Sequence, residues 1–220
     1  MRTNPVKGEL RRTMYDLLGR SLEAVAITGN HLEQLTDRGD GVLLLIRPHD
    51  DVPKTVLLDR LIPLLTALLT EYNAEAAQPA LRIRLRAVVH AGEVHADDRG
   101  FYGEAIDIAI RLLDAAPVKR ALKQASSPLV LVVSQEIHAG IISHGYVDGD
   151  TYHPLVRVRV AGKQHRGWIH IPGQGNPAGT ATPQTGYRPA HTLRPQLLAI
   201  CSTAFWVSVL ASQMVGVSAA

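Results

Sequence analysis

Two short stretches carry residue types and spacings that could do chemistry. The first is Asp37-Arg38-Gly39-Asp40-Gly41, which runs directly into the apolar Val42-Leu43-Leu44-Leu45. An aspartate between glycines at a tight turn beside a core strand is held rigidly and close to solvent. That suits Asp40 to ligating a hard divalent cation such as magnesium. Asp-Gly is equally ordinary hairpin-turn chemistry, so the turn alone does not decide between the two. The embedded Arg38-Gly39-Asp40 is read as a coincidence, not as an adhesion motif. The second stretch is His90-Ala91-Gly92-Glu93-Val94, followed by Tyr102 to Leu112. Asp107 and Arg111 stand four apart on one face of a predicted helix. They form either a surface ion pair or a polar pair aimed at a nucleotide phosphate. His90 ends a predicted strand and His95 lies beyond it, so a shared metal is not expected of them. Asp97-Asp98-Arg99 reads as a solvated loop.

The elements that must position these residues follow from periodicity. Leu10, Met14, Leu17, Leu18, Leu22 and Val25 recur at helical spacing, predicting a helix from residue 9 to about 27. Leu32 to Leu35 and Val42 to Ile46 flank the charged turn as a hairpin. A Leu-rich helix is predicted from about Thr55 to Tyr72, then a strand from Ile83 to Val89. A helix from Gly103 to Leu113 follows, interrupted by Pro117. Leu129 to Val133 reads as a buried strand and Gln135 to Ser143 as a short helix. Val156 to Val160 and Gly167 to Ile171 form a last hairpin, with 161–166 as its turn. This order predicts an α+β domain over residues 1–172, built on a mainly antiparallel sheet with helices on one face.

Composition narrows the class. With 46% hydrophobic and 20% charged residues, the chain has the means to build a real core. The net charge is only +3. Arg82, Arg84 and Arg86 alternate along one face of a predicted strand. With aromatics at 5%, this is not the broad basic, aromatic-interleaved patch of a nucleic-acid binder, and no nucleic-acid partner is expected. Cys201 is the single cysteine, which excludes a disulfide framework within the chain and leaves the cytoplasm as the default compartment. Met1 to Arg12 lacks the apolar core of a secretory signal. Residues 173–195 are rich in Gly, Pro, Thr and Gln and read as a linker. Leu197 to Ala220 then runs without a charge, long enough for a transmembrane helix over 196–220. Arg188 and Arg194 on its N-terminal side fit a cytoplasmic domain anchored to the inner face of the cell membrane.

Taken in order, the turn, the His-x-Gly-Glu-Val block and the helix are similar to the catalytic domain of class III adenylyl and guanylyl cyclases. The helix reads Gly103-Glu104-Ala105-Ile106-Asp107-Ile108-Ala109-Ile110-Arg111-Leu112, against a family pattern Gly-x-x-Val-Asn-x-Ala-x-Arg-Leu. The likeness covers roughly residues 9 to 172. It is closest to an actinobacterial cyclase-like group that shares the Asp-Arg-Gly-Asp-Gly turn and the Arg-Leu-Leu-Asp-Ala run at 111–115. The resemblance implies a ferredoxin-like fold and a homodimer that binds a nucleoside triphosphate at the subunit interface. Two Mg²⁺ or Mn²⁺ ions on two aspartates would activate the ribose 3′-hydroxyl for attack on the α-phosphate. It further implies that Asp40 is the second metal aspartate and Arg111 the transition-state arginine. Asp107 stands at the position of the catalytic Asn, and Gly39, Gly41 and Gly103 lie around the nucleotide.

The chain also departs from the family. The first metal aspartate belongs to a central first strand resembling Asp-Ile-x-Gly-Phe, and no such segment follows Met1. That strand is expected to be missing, or encoded upstream of Met1. Asp107 puts an anion where negative charge develops. Thr36 replaces the purine-selecting lysine, and its partner position falls near Gly100 in a shortened loop. The expectation is a degenerate cyclase-homology domain that acts as a nucleotide-binding, regulatory or dimerisation module in signalling. The alternative is an active cyclase.

Overall fold

The structure, a computed structural model, describes residues 4–37, 41–174 and the backbone of 204–212. The first helix, α1 (Asn4–Ala24), buries Leu10, Met14, Leu17, Leu18, Ser21 and Leu22 along one stripe. It stops where Ala26 turns left-handed (φ 60°) and the Ile27 N–H closes back on Leu22 O at 2.9 Å, a Schellman-type ending. Strands β1 (Leu32–Asp37) and β2 (Gly41–Ile46) form the expected hairpin. A π turn at Leu57–Leu61 runs into α2 (Ile62–Glu75). Strand β3 (Leu85–Glu93), the small hairpin of β4 (His95–Asp97) and β5 (Gly100–Tyr102), and α3 (Glu104–Leu113) follow. Then come α4 (Ala116–Gln124), β6 (Leu129–Ser134) and α5 (Gln135–Ile137), which continues as a π turn to Ile142. The hairpin of β7 (Tyr152–Val160) and β8 (Lys163–His170) and the strand β9 (Ala204–Ser212) complete the order.

Seven strands make one sheet in the order β1-β2-β9-β3-β6-β8-β7. Only β3 and β6 pair in parallel, and every other neighbouring pair is antiparallel. The α+β class is as the element order predicts, but the helices are not confined to one face. Val42, Leu44 and Ile46 of β2 pack with α1 and α2 in one core, whereas Leu43 and Leu45 pack with α3 and α4 in the other. Strands β2 and β6 are buried at every residue, and a strand apolar on both sides needs cover on both sides.

The tail also departs from expectation. Ala204–Ser212 is a strand, not part of a membrane-spanning helix, and it lies between β2 and β3. It runs antiparallel to both, with Gly41 opposite Ala211 on one side and His90 opposite Val207 on the other. A strand from the C-terminal part of the chain thus occupies an inner position of the sheet. The remaining residues of the expected helix, 196–203 and 213–220, and residues 175–195 of the expected linker lie outside the described residues. Among the described residues no helix is long and apolar enough to cross a membrane.

Candidate functional site

The arm of the hairpin that leads into the Asp40 turn is tied to α1. Asp37 accepts a salt bridge from Arg11 and a 3.2 Å hydrogen bond from the Tyr15 hydroxyl. The Arg11 guanidinium also lies over the Tyr15 ring, 5.1 Å from its centre. Arg38, Gly39 and Asp40 themselves lie outside the described residues, so the proposed metal aspartate and Gly39 have no geometry to report. Gly41 is buried at the start of β2, paired to Ala211 of β9.

The helix with the second constellation is seated by two glycines. A Cβ on Gly92 would sit 2.7 Å from the Ala105 Cβ, so glycine there lets α3 close onto β3. Gly103 holds φ +146°, and a Cβ on it would lie 3.2 Å from Glu93 O. Gly103 therefore has a structural duty as the residue that turns the chain into α3. Ala105, Ile106, Ile108, Ala109, Leu112 and Leu113 fill the buried face. Asp107 and Arg111 project from the opposite, exposed face, and among the described residues no salt bridge joins them. The structure brings the pair to one solvent-facing stripe, as the four-residue spacing predicts.

His90 and His95 do separate. His95 is exposed and stacked on Tyr102 with ring centres 5.6 Å apart. His90 is buried to 2% exposure, with Nδ1 3.3 Å from Glu136 Oε2. Burial pushes the Glu136 carboxyl up, but contacts with His90, Ser134 and its own backbone N–H outweigh this and hold it at about 2. The approach lacks the alignment of a hydrogen bond: both His90 ring nitrogens and Ser134 Oγ are buried without hydrogen-bond geometry to any partner among the described residues. The His90–Glu136 pairing crosses from β3 to α5, and the sequence offers no spacing by which to find it.

Of the three alternating arginines Arg82 is exposed, Arg84 half-buried and Arg86 buried. Arg84 donates to Ala125 O at 2.5 Å, and Arg86, 3% exposed, donates to Leu113 O at 2.6 Å and to Asp114 at 3.0 Å. Arg86 thereby serves the carbonyl end of α3, where a cation is favoured.

The chain matches no protein-family model, no curated protein and no solved structure.

Proposed function

We propose that this chain is a cyclase-homology domain without a two-metal centre, serving as a nucleotide-binding, regulatory or dimerisation module in signalling. A second copy of the chain and a nucleoside triphosphate are its partners. The observation that carries this reading is the composition of β9. On the resemblance, the strand beside β2 and β3 supplies the first metal aspartate. Ala204–Ser212 reads Ala-Phe-Trp-Val-Ser-Val-Leu-Ala-Ser, with no carboxylate. A displacement by two metals needs ligands for both. Asp107 adds an anion where donors should meet developing charge, which also works against turnover. The exposed Asp107 and Arg111, on a helix whose other face is packed, suit a surface completed by a second subunit.

Incubation of the full chain with ATP or GTP and Mg²⁺ or Mn²⁺, followed by measurement of pyrophosphate and cyclic nucleotide, tests the reading. The expected product is no greater than that of an Asp40→Ala control, while a fluorescent nucleoside triphosphate analogue still binds. Metal-dependent product that the control lacks would establish the alternative, an active class III cyclase. Anchorage to the inner face of the cell membrane, which the uncharged tail suggests on its own, competes with pairing of β9 inside the sheet. Recovery of the full chain in the soluble fraction supports the strand. Recovery with membranes, lost on truncation after Gln174, supports the anchor.

A further inference from the structure

At the end of the β1–β2 hairpin away from the 38–40 turn, His31, His49 and Asp51 each offer a ligand atom, and these atoms all lie within 4.8 Å of one another. The backbone fixes both sides of the group. The Arg47 N–H donates to His31 O at 2.8 Å, and the Val52 N–H donates to His49 O at 3.0 Å. Val52, 3% exposed, roots that turn in the core. The two imidazoles meet edge to face with centres 5.0 Å apart.

A backbone N–H approaches the Nδ1 of each ring. His31 Nδ1 accepts from the Thr28 N–H at 3.2 Å, and His49 Nδ1 accepts from the Asp51 N–H at 3.3 Å. A ring nitrogen that accepts carries a lone pair, so in the neutral ring the proton sits on Nε2. Both bonds are long, so a cation can take over these lone pairs at small cost. His49 Nδ1 also lies 3.3 Å from Asp51 Oδ2. A separation of about 3.3 Å is the edge of a tetrahedron whose bonds are about 2.0–2.1 Å.

We propose that His31, His49 and Asp51 form a three-ligand site for a transition-metal dication of the Zn²⁺ type. Two imidazoles and one carboxylate favour such a metal over magnesium. Three protein ligands leave a fourth position for water or a small ligand. His49 also lines a cleft of about 380 Å³ bounded by Asp50, Lys54, Thr55, Gly140 and Ile141, which gives that ligand room. Six-residue strands separate this site from Asp37 and Gly41, at the far ends of β1 and β2, by about 20 Å.

The test is Zn²⁺ binding to the full chain, by competition with a chromophoric chelator, with the visible spectrum of the Co²⁺-substituted protein as a second readout. Saturable one-to-one binding is expected, with a tetrahedral Co²⁺ spectrum and a raised Tm in Zn²⁺ but not in Mg²⁺. His31→Ala and His49→Ala should each weaken binding at least about tenfold, with metal-free circular dichroism and Tm unchanged. All three positions are partly or fully exposed, so these variants should fold. Absence of saturable binding, or binding by both variants as tight as that of the wild type, would overturn the proposal. Neither result bears on nucleotide binding.

Discussion

Arg86 is the side chain whose loss should be felt most directly. It enters the sheet as the second residue of β3 and spends its charge on the end of α3 and on Asp114. Burial raises the Asp114 carboxyl, and hydrogen bonds from Arg86 and Lys119 more than reverse this, lowering it. Arg86→Met leaves the Leu113 carbonyl without its donor, and urea unfolding should report a loss of about 1–3 kcal/mol. Glu136 makes a prediction in pH. Its folded-state pKa of about 2 lies below the ordinary 4.5, so its contribution to stability is whole above pH 4.5 and drains away as pH falls towards 2. Wild type should therefore lose stability across that window, and Glu136→Gln should fall less steeply in urea midpoints taken at pH 7, 4.5 and 3. The sequence makes the spacing of Asp107 and Arg111 legible because both belong to one helix. His90 with Glu136 and Arg86 with Leu113 O are set by tertiary packing, and no local pattern announces them.

At the scale of elements, Gly92 decides how closely α3 approaches β3. Gly92→Ala should cost about 1–3 kcal/mol in unfolding free energy, since neither Ala105 nor the His90 ring can easily withdraw. The same change should shift α3 and the amide resonances of Asp107 and Arg111. Most of the elements around this contact are readable from period alone: α1, the β1–β2 hairpin, α2, β3, α3 and β6 all fall near their predicted places. Helix α4 is not, because Pro117 reads as an interruption when it is in fact an opening residue of the next helix, where its missing N–H costs nothing. The β7–β8 turn contracts to Ala161 and Gly162, both left-handed (φ 47° and 80°), a two-residue hairpin turn. Lys163, Gln164 and Arg166 look like loop by polarity, yet they are the exposed positions of β8.

For the molecule as a whole, the decisive fact is that β9, the last strand among the described residues, lies mid-sheet. A charge-free apolar run satisfies the length rule for a membrane span, and a strand flanked by neighbours on both sides has the same signature over a shorter stretch. Phe205, Trp206, Val207 and Val209 are strand-favouring residue types, which is the one local hint. Truncation after Gln174 removes a nine-residue strand paired on two sides. At about 1 kcal/mol net per ladder bond, the loss is of the order of a whole domain's stability. The truncated chain should show no cooperative thermal transition, and a synthetic peptide spanning 200–216 should restore one.

The position of β9 also sets a clock on synthesis. Gly41 to Glu93 leave the ribosome more than a hundred residues before Ala204, a wait of roughly 5–20 s at ordinary elongation rates. Throughout that time β2 and β3 each carry an open edge with nothing between them, the state most exposed to wrong pairing with other chains. A nonsense codon ahead of or within the codons for Ala204–Ser212, which in many proteins would trim a terminus, would in this one leave the sheet without a strand between β2 and β3.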